Sequence, residues 1–122
     1  MRDPAVISII DDDESLCASL VGLLRSYGYE ARDFTSAEAF LAWEGASGCD
    51  CVITDVHMPG MSGLELTQVL ADRNSQVPVI MITGRTDPMV EMRALASGAV
   101  CLLKKPFQAD ALMECVRKAM SP

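Results

Sequence analysis

Residues 6–13 read Val-Ile-Ser-Ile-Ile-Asp-Asp-Asp, so a short apolar segment changes at once into three consecutive acidic residues. A nearly continuous apolar run of this length predicts a strand covered on both faces, as in a parallel sheet. Neighbouring carboxylates repel one another, by about 1 kcal/mol for a pair ~4 Å apart in water. Several of them at the end of a buried strand therefore indicate a binding site for a cation.

Four further segments continue this pattern, each separated from the last by a longer segment with helical periodicity. They are residues 29–34, 51–54, 79–83 and 100–103. The first of the four, Tyr-Glu-Ala-Arg-Asp-Phe, is more polar than the others and suits an edge strand. Strands and helices that alternate with short connections predict an α/β fold with a doubly wound parallel sheet.

Capping signals mark where several of these helices begin and end. Residues 35–38 (Thr-Ser-Ala-Glu) and 62–65 (Ser-Gly-Leu-Glu) both fit the capping box, in which a hydroxyl and a Glu side chain satisfy free N–H groups. Asp87 precedes Pro88, which suits the first position of a helix. Gly98 is well placed to end that helix.

The composition predicts a single globular domain over residues 1–122. Half of the residues are apolar, 22% are charged, and no internal linker or low-complexity stretch interrupts them. A net charge of −7 with scattered basic residues argues against nucleic-acid binding within this chain, because phosphate contacts need clustered Lys and Arg. No apolar run approaches the ~20 residues that span a bilayer, and no signal-peptide pattern is recognisable. We therefore expect a cytoplasmic protein without membrane contact, in which the five cysteines are reduced.

Side chains with complementary chemistry follow four of the predicted strands. They are Asp11, Asp12 and Asp13 after the first strand, Asp55 after the third, Thr83 at the end of the fourth and Lys105 after the fifth. Ligands of an open parallel sheet bind outside the carboxyl ends of its strands. Carboxylates, a hydroxyl and an ammonium there suit a hard metal ion beside a phosphoryl group. An aspartate in such a site can accept the phosphoryl group and form an acyl phosphate.

Four short motifs at these positions resemble one known family. They are Ile-Ile-Asp-Asp-Asp-Glu at 9–14, Asp-Val-His-Met-Pro-Gly-Met-Ser-Gly at 55–63, Ile-Thr-Gly at 82–84 and Lys-Lys-Pro-Phe at 104–107. In this order and spacing they resemble the receiver domain of two-component response regulators, over essentially the whole chain. The resemblance implies a flavodoxin-like fold of three layers, with five helices around a five-stranded sheet in the order 2-1-3-4-5. It also implies a phosphorylation-controlled signalling switch and not a turnover enzyme.

The resemblance further implies a metal site built from carboxylates and one backbone oxygen. Asp12 would bind Mg2+ (or Mn2+) directly, and Asp11 would bind it mainly through water. Asp55 and the backbone carbonyl of His57 would complete the ligands that the protein supplies. Asp13 is expected to cap the first helix instead.

The same resemblance makes Asp55 the phospho-acceptor, which would take a phosphoryl group from a sensor histidine kinase or a histidine phosphotransfer protein. Lys105 would contact the phosphoryl oxygens and precede a cis bond to Pro106, whereas Lys104 would point to solvent. Thr83 would turn inward to hydrogen-bond the phosphoryl group and so couple its arrival to the following loop.

The fifth strand departs from the family pattern at the position that reads out phosphorylation. Many receivers carry Phe or Tyr three residues before the site lysine, and this chain has Leu102. An aliphatic side chain has no ring to reorient and no hydroxyl to bury, so Thr83 lacks its usual aromatic partner.

The output of the predicted switch has two open forms. The face of helix 4, strand 5 and helix 5 is where related receivers form a homodimer or meet an output domain, and Met89 and Met92 belong to that helix. The motifs resemble receivers attached to LuxR-type DNA-binding domains. An attached helix-turn-helix effector that regulates transcription and a stand-alone receiver therefore both stay open.

Three alternative functions also stay open. A phosphatase of the haloacid-dehalogenase type forms an aspartyl phosphate too, but its Asp-x-Asp motif lies on the first strand, whereas residues 55–57 lie on the third. A phosphate-independent interaction module is favoured by Leu102 and opposed by the complete acidic set with Lys105. A flavin carrier would need a phosphate-binding Gly-rich loop after the first strand, and the sequence has none there.

Overall fold

The structure is a computed structural model that describes residues 4–121, apart from the side chain of Ser47. Its strands are β1 (Val6–Ile10), β2 (Glu30–Phe34), β3 (Cys51–Asp55), β4 (Val79–Thr83) and β5 (Cys101–Lys104). Its α-helices are α1 (Glu14–Ser26), α2 (Ala37–Ala42), α3 (Gly63–Asp72), α4 (Pro88–Ala96) and α5 (Ala109–Met120). A 3-10 helix at Glu44–Gly48 follows α2.

The five strands form one parallel sheet in the order β2-β1-β3-β4-β5. This order confirms the predicted flavodoxin-like α/β fold. The ladder pairs Ile10 with Thr54 and Thr83 with Lys104, so the carboxyl ends of four strands reach the same edge. In β2 only Ala31 is fully buried, as expected for an edge strand.

Two apolar layers pack the helices against the sheet and give the predicted three-layered arrangement. One layer joins α1 and α5 to the sheet and includes Ile7, Ile9, Leu24, Ile53, Ile80, Ile82, Leu112 and Val116. The other joins α2, α3 and α4 to the sheet and includes Ile10, Phe40, Val52, Leu66, Leu70, Met81 and Ala94. Neighbouring residues Val52 and Ile53 belong to different layers, because successive side chains of a strand point to opposite faces.

The helix ends agree with the capping signals except at α2. Ser62 and Glu65 form the predicted capping box, Asp87 caps α4 with Pro at its start, and Gly98 follows that helix with a φ of 92°. The capping box predicted at residues 35–38 is wrong. Ser36 is the N-cap and accepts a hydrogen bond from Ala39 N at 3.0 Å, so α2 begins one residue later than the motif required.

The five cysteines are reduced thiols, as predicted. Cys17, Cys49, Cys51 and Cys115 are buried, and Cys101 is half-buried. Burial raises the pKa of Cys17 to about 11 and the pKa values of Cys51 and Cys115 to about 12. Among the described helices, none combines the length and apolar character that crossing a bilayer requires.

Candidate functional site

The edge of the sheet brings Asp11, Asp55 and Lys105 into contact. Lys105 Nζ lies 2.9 Å from Asp55 Oδ2 and 3.1 Å from Asp11 Oδ2. Asp11 is 1% exposed and Asp55 is 6% exposed, so both ion pairs are largely shielded from water. The partners are 50 and 94 residues apart in the sequence, so the fold alone brings these groups together.

Each of the two buried carboxylates is also fixed by the backbone that follows it. Asp11 Oδ1 accepts a hydrogen bond from Asp13 N at 2.9 Å, and Asp55 Oδ1 accepts one from His57 N at 3.0 Å. Both contacts are turns in which an Asp side chain binds the N–H two residues later. One oxygen of each carboxylate therefore orients the side chain, and the other faces Lys105.

Asp12 adds a third carboxylate to form what we call the carboxyl-end cluster, namely Asp11, Asp12, Asp55 and Lys105. One ligand oxygen from each aspartate lies within 4.8 Å of the other two. Asp12 is exposed, whereas the other two aspartates are buried. Asp13 is directed away to the helix start, where Oδ1 accepts a hydrogen bond from Leu16 N at 3.1 Å. Asp13 thus caps α1, as predicted, whereas Asp11 and Asp12 stay with Asp55 in the cluster.

The charges of the carboxyl-end cluster do not balance. Burial raises the pKa of Asp11, and the Asp55 carboxylate adds to this rise. The hydrogen bond from Asp13 N–H and the interaction with Lys105 lower the pKa but do not outweigh the rise. Burial lowers the pKa of Lys105, but the hydrogen bonds to Asp55 and Asp11 outweigh burial and raise it. Lys105 is therefore an ammonium at neutral pH, and it contacts Asp11 and Asp55 beside the third aspartate, Asp12. Oxygen ligands with surplus negative charge fit Mg2+ or Mn2+, which bind to one or two carboxylates and waters.

Thr83 lies beside the carboxyl-end cluster, with its hydroxyl bound to its own turn. The residue is fully buried. Its Oγ1 accepts a hydrogen bond from Arg85 N at 3.1 Å and lies 3.4 Å from Arg85 O, to which it donates. The Thr83 hydroxyl therefore holds the backbone at Arg85, in the loop that leads from β4 to α4.

The loop after Asp55 approaches the site so closely that it requires glycine. A Cβ on Gly63 would lie 2.3 Å from the backbone oxygen of Asp55, and Gly63 N donates to Val56 O at 3.0 Å. An open cavity of about 410 Å3 lies above the loop and is lined by Asp12, His57, Met58, Pro59, Ser62 and Arg85. A phosphoryl group and its donor could reach the site from this side.

The family model described as "Response regulator receiver domain" matches residues 7–117. This chain belongs to the response regulator receiver domain family. The match covers all the residues of the carboxyl-end cluster and every strand except for Val6, the first residue of β1. The resemblance seen in the four motifs is therefore confirmed.

Curated relatives and a solved structure agree with this assignment to receiver domains. Response regulator protein TmoT of Ectopseudomonas mendocina is 40% identical over 116 residues, which are 95% of this chain and 53% of that protein. Transcriptional regulatory protein FixJ of Azorhizobium caulinodans is 38% identical over 120 residues, which are 98% of this chain and 57% of that protein. The receiver thus spans about half the length of the curated relatives it matches. The crystal structure of FixJ-N has 36% identity and a TM-score of 0.88, and the match covers 98% of this chain and 95% of that one.

The receiver separates its two adjacent lysines as predicted. Lys105 points into the carboxyl-end cluster, and its bond to Pro106 is cis. Lys104 is exposed and also forms an ion pair with Glu91 on α4, with Nζ 2.5 Å from Oε1, a contact that the sequence did not indicate. Leu102 is half-buried against the apolar layer that includes α4.

Sequence reasoning missed one residue that touches the loop of the receiver's site. Glu38, which was assigned to a capping box, accepts a hydrogen bond from Met61 N at 3.1 Å. Two consecutive hydroxyl residues, Thr35 and Ser36, made two helix starts possible. Only the start at Thr35 would have placed Glu38 where it could cap the helix.

Proposed function

We propose that this receiver accepts a phosphoryl group on Asp55 from a sensor histidine kinase or a histidine phosphotransfer protein. The observation that carries the proposal is the buried Asp55 carboxylate, which lies 2.9 Å from Lys105 Nζ and shares a cluster with Asp11 and Asp12. Membership of the receiver family supports the same conclusion.

The transfer would exchange one bond to phosphorus for another. A carboxylate oxygen of Asp55 attacks phosphorus, a P–O bond forms, and the P–N bond to the donor imidazole breaks. Lys105 would exchange its contact with Asp55 Oδ2 for a contact with a phosphoryl oxygen, where its positive charge stabilises the transferred group. Such transfers depend mainly on positioning and charge neutralisation, which this fixed pair supplies.

Asp11, Asp12, Asp55 and the backbone carbonyl of His57 would hold Mg2+ (or Mn2+). When bound, the ion would neutralise charge on the phosphoryl oxygens. The exposed Asp12 suits direct ligation, whereas Asp11 has one oxygen held by Asp13 N and the other by Lys105, which suits support through water.

Thr83 would report the phosphoryl group to the loop before α4. To donate to a phosphoryl oxygen, its hydroxyl must give up its contacts with Arg85. The backbone at Arg85 is then free to move. Because Leu102 offers no aromatic ring, we propose that this loop and α4 carry the signal and that ring rotation plays no part.

The outer side of α4 is suited to receive a partner. Met89, Met92 and Leu95 are 66%, 66% and 60% exposed, which is unusual for large apolar side chains. We propose that the face of α4, β5 and α5 forms a homodimer or contacts an attached effector that regulates transcription in the cytoplasm. Sedimentation should show that phosphorylation promotes self-association and that Met92→Glu prevents it; equal association of both proteins would contradict the homodimer.

The phosphorylation proposal is tested with a small phosphodonor. Acetyl phosphate with Mg2+ should add one base-labile phosphoryl group to the chain, seen in the intact mass, and EDTA should prevent this addition. Asp55→Asn should abolish the label, whereas Asp72→Asn, an exposed change at the end of α3, should keep it. Retention of the label in Asp55→Asn would contradict the proposal, and repeated turnover of a phosphomonoester would point to a phosphatase.

A further inference from the structure

We propose that Glu38 is a positioning residue for the metal and phosphoryl site, acting through the loop of residues 57–62. Its Oε2 atom accepts a hydrogen bond from Met61 N at 3.1 Å, across 23 residues of sequence. Glu38 belongs to the first turn of α2 and does not touch the carboxyl-end cluster, so it would act through the loop. This inference rests on the proposed function, because it concerns the loop that carries His57.

The loop is anchored at three successive places, and Glu38 supplies the middle anchor. At its start His57 N donates to Asp55 Oδ1 at 3.0 Å. At its end Ser62 N donates to Glu65 Oε1 at 3.0 Å, inside the capping box of α3. Both of these partners lie within three residues of the group they hold, whereas Glu38 comes from a different helix. Of these three hydrogen bonds, the one to Glu38 is therefore the bond that joins the loop to an element distant in sequence, beside the apolar packing of Met58.

Gly60 makes room for this anchor. Its φ is 76°, a conformation that side chains rarely adopt, and a Cβ there would lie 2.6 Å from Glu38 Oε2. The carboxylate thus lies directly against the turn and binds the N–H that follows it. A side chain at position 60 would therefore displace the Glu38 carboxylate from its place against the turn.

The position of His57 links this anchor to the metal. The backbone of His57 lies between Asp55, whose carboxylate it binds, and the turn that Glu38 holds. Without Glu38, Met61 N loses its acceptor, and the loop can leave the conformation in which the His57 carbonyl serves as a ligand. The loss of one exposed hydrogen bond predicts metal binding that is about two- to tenfold weaker.

The test compares two variants that remove the same charge. Glu38→Gln keeps an oxygen acceptor for Met61 N, whereas Glu38→Ala does not, so the difference between them reports the hydrogen bond and not the charge. The measurement is titration calorimetry with Mg2+ on the unphosphorylated protein. The Mg2+ affinity of Glu38→Gln should differ from that of wild type only by the effect of the lost charge, and Glu38→Ala should bind Mg2+ more weakly than Glu38→Gln does. Glu44→Ala, an exposed change on the 3-10 helix after α2, is the matched control for a lost Glu and should bind like wild type.

A second readout is independent of the metal. Amide hydrogen exchange at Met61 in metal-free protein should be faster in Glu38→Ala than in Glu38→Gln, while exchange in the core of β3 stays unchanged. Equal Mg2+ affinities in the two Glu38 variants would overturn the inference, as would equal exchange at Met61. If wild type binds no Mg2+, or Asp12→Asn binds it as well as wild type does, the proposed metal site itself fails, and this inference fails with it.

Discussion

The carboxyl-end cluster and the α4–β5 surface (Met89, Glu91, Met92, Leu102 and Lys104) are neighbours that differ in how their side chains are held. In the cluster, the carboxylates of Asp11 and Asp55 are buried, and each binds both a backbone N–H and Lys105. On the α4–β5 surface, the methionines face solvent, and the Lys104–Glu91 ion pair is partly exposed. The two buried carboxylates of the cluster are thus fixed before any ligand arrives, whereas the exposed methionines are free to adapt to a partner.

The largest expected effect separates the two adjacent lysines. Lys105→Ala removes the ammonium that faces the carboxylates, and the loss of such a charged group from a reacting site predicts phosphorylation that is at least ~100-fold slower. Lys104→Ala removes an exposed ion pair, which predicts no change in that rate and about 0–1 kcal/mol less stability. Phosphorylation rates with acetyl phosphate and urea denaturation measure both effects. Similar phosphorylation rates in Lys105→Ala and Lys104→Ala would contradict the difference drawn between the carboxyl-end cluster and the α4–β5 surface.

The next effect concerns how closely the loop packs on Asp55. Gly63→Ala places a methyl group 2.3 Å from the Asp55 backbone oxygen, and the forced shift predicts a loss of about 1–3 kcal/mol in the free energy of unfolding. Gly22→Ala in α1 is the matched control, because a Cβ there meets no atom within 4 Å. That change should stabilise the protein by about 0.5–1 kcal/mol. If urea denaturation shows that Gly63→Ala and Gly22→Ala change the free energy of unfolding equally, the close approach of Gly63 to the Asp55 backbone does not require glycine.

A smaller effect tests the charge surplus of the carboxyl-end cluster in metal-free protein. The raised pKa of Asp11 means that the folded protein binds this proton more tightly than the unfolded chain does. The stabilisation that this bound proton provides is fully present when the pH is below the usual aspartate pKa of 3.8. It is lost as the pH rises through the raised pKa of Asp11. Asp11→Asn removes the charge but keeps an acceptor oxygen, so the variant should gain stability over wild type, on the order of 1 kcal/mol, near neutral pH.

Urea denaturation in EDTA at acidic and neutral pH measures this difference. The gain from Asp11→Asn should be present at neutral pH and shrink as the pH falls towards the ordinary aspartate range. A variant less stable than wild type at neutral pH would mean that Lys105 more than compensates for the buried charges.

Much of the fold follows from the sequence because each apolar run carries its own signal. The runs at 6–10 and 79–83 predicted their strands without error, since every residue of these strands is buried. The third strand was predicted one residue too short, and the fifth was predicted one residue too early, at 100–103 in place of 101–104. Asp55 and Lys104 are polar, yet their backbones continue the ladder beyond the apolar run. Apolar pattern and backbone pairing therefore end at different residues where a functional site begins.

The contacts between elements could not be predicted in the same way. In the sequence, Glu38 fits a local capping motif. Only the packing of α2 beside the loop of residues 57–62 directs the Glu38 carboxylate to Met61 N. The ion pair of Lys104 with Glu91 depends on where α4 lies over β5. The site residues themselves could be predicted because the carboxyl ends of the strands meet at one edge of the sheet. Their supporting contacts could not, because these contacts join elements whose relative positions depend on packing.

The central claim is that Asp55 carries the phosphoryl group, and trapping the acyl phosphate tests it most directly. Borohydride reduces an aspartyl phosphate to homoserine, and peptide mass spectrometry then locates the altered residue. After treatment with acetyl phosphate and Mg2+, we predict homoserine at position 55 and unaltered aspartate at positions 11, 12 and 13. Homoserine at any of those three positions, or none at position 55 in protein shown to be labelled, would contradict the account.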